Sequence, residues 1–450
     1  NMDGLPEIVW GTTVYDVFGQ VICAGVGGGT GGHSSATRAI STVADLDNDG
    51  YMEIIAGNTV YEHDCTLRWQ STAQDGYAAV ADIYDTNGLP ILDGVPEIVL
   101  VGYGNVYVLD STDGTILWGP EPIPGGQNKG GAPVVADFDG DGLPEIGTAG
   151  GAYMIVYDPY DATPILWMQP TKDTSSAITG CTVFDFEADG MAEIIYTDEC
   201  FVYIYRGSDG SILFKESNNT RTHNEYPIVV DVDGDGNSEL LVTSNVCVWA
   251  CDAEPGWTGP AKRGITVYGD ADYNWVRTRK IWNQHAYHVT NINDNGTIPI
   301  PEVRNWTVPG LNNFRQNVQT WGVHNAPNLA PEMFGGDVRY CQSGTITLGL
   351  MVENKGSRGV PSGVNVSFFR VHDDDSREYL GTVQTQGGLL PGMSEYVEYD
   401  WATVVEDPPV NDYRFVVLVD DPDFGEVAVH ECLETDNESS IIEVTCNVVD

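Results

Sequence analysis

An acidic nine-residue phrase recurs along this chain, and its recurrence limits the fold more than any other feature. Asp45-Leu-Asp47-Asn-Asp49-Gly50-Tyr-Met-Glu53 is followed by Ile-Ile-Ala-Gly, and Asp137-Phe-Asp139-Gly-Asp141-Gly142-Leu-Pro-Glu145 by Ile-Gly-Thr-Ala-Gly. Asp185-Phe-Glu187-Ala-Asp189-Gly190-Met-Ala-Glu193 and Asp231-Val-Asp233-Gly-Asp235-Gly236-Asn-Ser-Glu239 run into Ile-Ile-Tyr and Leu-Leu-Val. A fifth copy starts at Asp82, is interrupted, and resumes at Asp93-Gly94-Val-Pro-Glu97; its third ligand is Asp85 or Asn87. A sixth opens the chain as Asn1-Met-Asp3-Gly4-Leu-Pro-Glu7, and a seventh, Asn291-Ile-Asn293-Asp-Asn295-Gly296, has lost its charges. First positions lie 37 to 60 residues apart. That period belongs to stacked supersecondary units, each unable to bury its apolar face alone.

Between the loops the text repeats as well. An apolar stretch follows each Glu, then a Val- and Tyr-rich stretch, an Asp-Gly turn, and a short apolar finish. Asn105-Val-Tyr-Val-Leu-Asp110 leads through Asp113-Gly114 to Ile116-Leu-Trp118, and Phe201-Val-Tyr-Ile-Tyr205 through Asp209-Gly210 to Ile212-Leu-Phe214. Short β-branched and aromatic runs broken by such turns read as strands and hairpins. Four strands per repeat and seven repeats predict an all-β fold, a seven-bladed β-propeller over residues 1–325. The first blade lacks a strand before Asn1. A stretch near Val318–Val323, an upstream extension of the chain or a neighbouring molecule would supply it.

Oxygen ligands at positions 1, 3, 5 and 9, with Gly at 6 for the sharp turn, can fold around one hard cation. The flexible six-to-eight oxygen shell of calcium suits such a loop better than the strict octahedron of magnesium. An EF-hand would need flanking helices and an acid at position 12, and neither is present. The expected ligands are Asp45, Asp47, Asp49 and Glu53; Asp82, Asp93 and Glu97; Asp137, Asp139, Asp141 and Glu145; Asp185, Glu187, Asp189 and Glu193; Asp231, Asp233, Asp235 and Glu239; and Asn1, Asp3 and Glu7. Four to six Ca2+ sites follow, with tight binding not expected at Asn291.

This pattern resembles the FG-GAP (VCBS-like) repeat of integrin α-subunit propellers and many bacterial surface proteins. The resemblance covers about 300 residues and implies calcium in the turn between the first two strands of a blade. A Pro-containing linker, 326–331, precedes residues 332–450, where about seven alternating strands predict an immunoglobulin-like β-sandwich. The turns at Val352-Glu-Asn-Lys-Gly356, Leu390-Pro-Gly392 and Cys432-Leu-Glu-Thr-Asp-Asn437 are similar to CARDB, the bacterial cell-adhesion-related domains.

Acidic side chains number 66 against 20 basic, a formal net charge of −46. Nucleic acid and anionic membranes are therefore poor partners. Nine cysteines without zinc-type spacing point to disulfides in an oxidising exterior. Cys341 and Cys432 are the candidate staple of the second domain, with Cys446 the odd thiol. Catalytic candidates are few. The basic stretch with Arg277, Arg279, His285, His288 and Arg315 reads as a closing blade with its cations paired internally, and the Gly27–Gly32 string as an interblade loop.

The function expected is that of a secreted, calcium-stabilised, non-enzymatic structural or adhesive protein, a subunit of a bacterial surface layer, filament or other extracellular assembly. Its expected partners are copies of itself, other surface proteins or glycans. The alternative is a polysaccharide lyase using His285 and Arg279, or a carbohydrate-binding propeller.

Overall fold

A computed structural model of the chain describes residues 5–32, 39–85, 88–187, 189–235, 237–245, 251–271, 275–293, 295–317, 327–341, 344–355, 359–389, 392–402, 412–420 and 437–446. These residues are all-β: antiparallel strands in eight small sheets, two single 3-10 turns (Val289–Asn291 and Asn305–Thr307) and no α-helix. The chain divides into two compact units. One comprises Asn1–Val230, Glu239–Tyr268 and Arg279–Thr320; the other comprises Asp231–Ser238, Gly269–Thr278 and Trp321–Asp450.

Six sheets build the first unit, each a meander in chain order. The second sheet runs Thr42–Ala44, Glu53–Ala56, Thr59–Tyr61, Leu67–Gln70, and the third Tyr77–Ala81, Glu97–Gly102, Asn105–Asp110, Ile116–Pro122. The fourth runs Val134–Ala136, Glu145–Ala149, Tyr153–Tyr157, Ile165–Pro170, and the fifth Cys181–Phe184, Glu193–Thr197, Phe201–Tyr205, Ile212–Ser217. Three strands are described in the first sheet (Ile8–Trp10, Thr13–Tyr15, Val21–Ala24) and three in the sixth (Ile228–Val230, Glu239–Ser244, Gly264–Tyr268).

One local template repeats. A leading strand enters the acidic loop, and the Glu that ends the loop opens the second strand directly opposite the last leading residue. These pairs are Ala44↔Glu53, Ala81↔Glu97, Ala136↔Glu145, Phe184↔Glu193 and Val230↔Glu239. Second strands such as Glu97–Gly102 and Glu193–Thr197 are buried at every residue, so their text is continuously apolar instead of alternating. Both faces are covered because successive sheets stack. One core takes Ile55, Val60 and Trp69 from the second sheet with Ile98, Leu100 and Leu109 from the third. Another joins Val156 and Trp167 of the fourth to Ile194 and Tyr203 of the fifth.

The Asp-Gly turns serve this stacking. Trp69 donates its indole N–H to Ser111 O at 2.9 Å and lies flat against Gly114 (φ 78°), where an added Cβ would stand 2.4 Å from the ring. Trp167 repeats the contact on Gly207 O and Gly210.

Residues 279–317, where a seventh blade is expected, contain the two 3-10 turns and only isolated bridges among the described residues, Val135↔Phe314 and Val183↔Gln316. The segment runs against leading strands instead of forming its own sheet. Arg315, fully buried, donates to His285 O at 3.2 Å and to Pro133 O, while Asn317 donates to Val229 O at 3.0 Å. Val318–Val323 lies outside the described residues.

In the second unit, Leu329–Asp337, Thr345–Asn354 and Ser394–Ala402 form one sheet. Arg377–Gln384, Asn365–Val371, Asp412–Val419 and Ile442–Thr445 form the other. The two share a core around Leu348, Val366, Phe368, Trp401 and Phe415. Its first strand starts at Leu329, inside the stretch expected to be linker, because Leu329 and Pro331 pair with Asn354 and Val352.

The staple is Cys341–Cys446, which corrects the expected pairing of Cys341 with Cys432 and the assignment of Cys446 as the odd thiol. Strand Ile442–Thr445 carries Cys446 back beside Cys341, and Cys432 lies outside the described residues. Cys23–Cys65 and Cys200–Cys251 are also bonded. Cys181 is a buried free thiol, pushed up to about 12 by burial.

Candidate metal centres

Each acidic loop is held by its own backbone before any ion is considered. Asp at position 1 accepts the N–H of the Gly at position 6: Gly50 on Asp45 at 3.2 Å, Gly94 on Asp82 at 2.7 Å, Gly142 on Asp137 at 2.9 Å and Gly190 on Asp185 at 2.9 Å. Those glycines have φ of 89°, 84°, 90° and 89°, a left-handed turn that a Cβ would strain. Position 5 then caps the turn, as in Asp49 accepting Tyr51 N and Asp141 accepting Leu143 N, both at 2.8 Å. The Glu at position 9 folds back to accept the N–H at position 2: Leu46 on Glu53, Ile83 on Glu97, Phe138 on Glu145 and Phe186 on Glu193.

Within the first unit, two loops gather three carboxylates. Asp45, Asp47 and Glu53, and likewise Asp137, Asp139 and Glu145, place one oxygen each within 4.8 Å of one another. Glu53 and Glu145 are fully buried, and the second oxygen of each, Oε1, has no hydrogen-bond partner among the described residues. A buried carboxylate oxygen without a donor is costly, and a hard cation is the ligand this donor set fits. Arg68 partly fills that role in the first loop, with Nη1 at 2.8 Å from Asp47 Oδ2 and 3.8 Å from Glu53 Oε2. At Asp137, Asp139 and Glu145 no basic side chain takes it among the described residues.

The other expected ligands divide. Asp82, Asp93 and Glu97 keep positions 1, 5 and 9 across the insertion, whereas Asp85 turns away to accept Leu89 N at 2.8 Å. Asn87 lies outside the described residues. Glu187 lies beside Glu193, and Asp189 caps Met191 N. In the loop after Ile228–Val230, Asp231 accepts Gly234 N at 2.6 Å, Asp233 accepts Asp235 N at 3.1 Å, and Asp235 accepts Asn237 N at 2.8 Å; Glu239 is buried at the start of its strand. Asn1 and Asp3 lie outside the described residues, leaving Glu7 alone of its set. The Asn293 and Asn295 side chains bond Thr297.

Without a cation, burial pushes Glu53 up to about 7, Glu97 to about 8 and Glu145 to about 9, with neighbouring aspartates adding to the rise. Burial, and then the Glu187 carboxylate, raises Glu193 as well. Folded carboxyls that hold protons more tightly than the unfolded chain stabilise the fold below the ordinary glutamate value of 4.5, and that contribution fades as pH climbs through 7 to 9. A metal-stripped sample is therefore expected to melt higher at about pH 5.5 than at about pH 8.5, and excess calcium to abolish the difference. Melting curves at both values with and without calcium decide it; a stripped protein steadier at the alkaline end contradicts the burial of these acids.

In the basic stretch, His285, Arg279 and His288 make internal contacts. His285 gives Nε2 to Asn224 O at 2.7 Å, and burial drags it down to about 3. Arg279 is buried on Val289 O and Ile292 O. His288 is buried against Glu302. Side chains take the N–H groups of the Gly-rich string: Asp75 accepts Thr30 N at 2.8 Å and Gly31 N at 3.2 Å, and Gly29 N donates to Thr59. Arg315, expected to be paired internally, is fully buried on the carbonyls of His285 and Pro133.

No curated protein matches the chain. Among solved structures, the biofilm matrix protein Bap1 of V. cholerae matches at 18% identity over 70% of this chain and 74% of its own, with a TM-score of 0.52. An Agrocybe aegerita lectin (12% identity, 88% and 95% coverage, TM-score 0.31) and β-glucosidase 3B of Thermotoga neapolitana (13%, 30% and 18%, TM-score 0.18) are more distant. Residues 92–148, which span the end of the interrupted loop and the whole Asp137 loop, match the FG-GAP-like repeat.

Proposed function

We propose that this is a secreted, calcium-stabilised, non-enzymatic structural or adhesive protein that works as a subunit of an extracellular assembly. The observation that supports it most is the fold shared with a biofilm matrix protein over most of both chains. On this reading the six stacked meanders are blades of an FG-GAP, VCBS-like propeller with calcium in the loops, and residues 332–450 are a CARDB-like sandwich. Three disulfides fit an oxidising exterior, and no helix is long and apolar enough to cross a membrane among the described residues. The burial of His285 and Arg279 on backbone groups weighs against a lyase, which needs both in reach of substrate.

Purified protein titrated with calcium should associate, seen by light scattering and by electron microscopy as filaments or sheets, and should be retained on washed surfaces. A protein that stays monomeric at every calcium concentration and washes away would sink the reading.

A further inference from the structure

The second and fourth sheets meet their neighbours through an indole laid on an Asp-Gly turn, Trp69 on Gly114 and Trp167 on Gly210. The turn of the fourth sheet departs from that template. It closes from Asp158 N to Pro164 O, one residue longer than the turns closed by Asp110 N on Thr115 O and Arg206 N on Ser211 O. Its text, Asp158-Pro-Tyr-Asp-Ala-Thr-Pro164, carries no glycine. Tyr160, at the third place of this turn, stands between two acidic loops. Its Oη lies 3.2 Å from Ile83 O and 3.2 Å from Pro144 O. Ile83 is the second residue of the interrupted loop Asp82–Glu97, and Pro144 the eighth of the loop Asp137–Glu145. Tyr84 returns the contact: its hydroxyl donates to Pro159 O at 2.8 Å, and the two rings meet edge to face with centroids 5.6 Å apart.

On each side, the peptide group that faces the phenol belongs to the glutamate of its loop. Glu97 Oε2 accepts Ile83 N at 2.8 Å and Tyr84 N at 3.0 Å. The Ile83–Tyr84 peptide therefore gives its N–H to Glu97 and its carbonyl to Tyr160. Across the phenol, Pro144 O is the carbonyl of the peptide that opens onto Glu145. One hydroxyl thus connects Glu97 to Glu145 through two peptide groups. It has a single proton to give, so a shift of either carbonyl alters its bond to the other.

The two loops are unequally prepared for a cation. Asp137, Asp139 and Glu145 already place an oxygen each within 4.8 Å of one another, and the buried Oε1 of Glu145 has no hydrogen-bond partner among the described residues. In the interrupted loop Asp85 is spent on Leu89 N, leaving Asp82, Asp93 and Glu97 as the expected set. A loop with fewer preset ligands loses more conformational freedom on binding. A neighbour that is already ordered removes part of that loss.

We propose that these two loops fill cooperatively, the complete Asp137 loop ordering the interrupted Asp82 loop through Tyr160 and Tyr84. A cation held by Asp137, Asp139 and Glu145 fixes the Pro144–Glu145 peptide, and with it the phenol, the Ile83–Tyr84 peptide and Glu97. Coupling between two binding sites is reciprocal, so a cation in the Asp82 loop strengthens the Asp137 loop by the same factor. Tyr160 is a positioning residue, acting through a carbonyl of each loop. The inference rests on the calcium reading above.

The test follows amide exchange in the full chain along a calcium titration, which reads each loop separately. Asp139→Asn weakens the Asp137 loop and leaves the buried Glu145 in place. In that variant the calcium needed to protect Ile83, Tyr84 and Ile98 should rise roughly fivefold or more. Asp93→Asn should raise the requirement at Phe138 and Ile146 by the same factor. Tyr160→Phe keeps the ring and removes the hydroxyl; on that background Asp139→Asn should leave the Asp82 loop where it was. Coupling that survives Tyr160→Phe overturns the phenol link, and so does an equal shift at the Asp45 loop, which would mean general loosening. Calcium protection of each loop that ignores the other's ligands overturns the cooperativity and leaves the calcium reading standing. Exchange that calcium changes in neither loop removes that reading and the inference with it.

Discussion

Removing divalent cations is expected to lower the melting temperature of the first unit by roughly 15 °C or more. A ligand at about a thousand times its dissociation constant contributes roughly 4 kcal/mol per site. The two loops within the first unit that gather three carboxylates would together contribute about 8 kcal/mol, comparable with the whole stability of an ordinary domain, about 5–15 kcal/mol. For a large domain each kcal/mol moves the melting temperature by roughly 2 °C or more. The loss has a structural route. Stripped of an ion, Glu145 must either bury an unpaired charge or take up a proton, and Glu53 keeps only Arg68 at 3.8 Å; each of the two is the first residue of the second strand of its sheet. Because the sheets stack, a loosened second strand exposes the neighbour's core as well.

Calorimetry with and without chelator, together with metal analysis of the purified protein, reads the result. The transition of the sheets in residues 327–446, which carry no such loop, should hold its position. Glu145→Gln should reproduce part of the loss, whereas Asp85→Asn should not, because Asp85 faces its own turn. An unchanged first transition and a metal-free preparation would remove the cation reading altogether.

Much of this was legible in the sequence because the loop is a local device. Asp at 1, Gly at 6 and Glu at 9 bond within nine residues, so the text alone places a turn and the start of the next strand. The same locality explains what was not legible. Whether a third ligand turns inward depends on the insertion between Asp82 and Asp93, and Asp85 prefers Leu89 N. The stretch around Arg315 reads as a repeat because Asn291–Gly296 keeps the spacing. Its structure is set instead by distant main-chain groups: the carbonyls of Pro133 and Val229, which accept from Arg315 and Asn317, and the Val183 N–H, which donates to Arg315 O. Pairing of the C-terminal cysteines is long-range in the same way: Cys432 is nearer Cys341 in sequence, yet the strand Ile442–Thr445 returns Cys446 to it.

That bond carries the second large expectation. Cys341→Ser with Cys446→Ser is expected to cost the second unit about 4–5 kcal/mol, since the bridge closes a span of 105 residues and the entropy it removes from the unfolded chain grows with loop length. All strands of the two sheets but Leu329–Asp337 lie within that span, so the unfolded ensemble is confined nearly throughout. For a unit of this size the loss amounts to roughly 15 °C, in the second transition alone. Cys446 also directly follows the strand Ile442–Thr445, which among the described residues pairs with Asp412–Val419 alone. Without the bridge, Ile442–Thr445 is held by one neighbour and by Val444 in the core, and it should fray first. Hydrogen exchange then distinguishes the two effects of the bond. Fast exchange confined to Ile442–Thr445 with little loss of melting temperature would mean that the bridge only pins an edge strand, and would contradict the chain-entropy argument. Uniform loss across both sheets is the result expected.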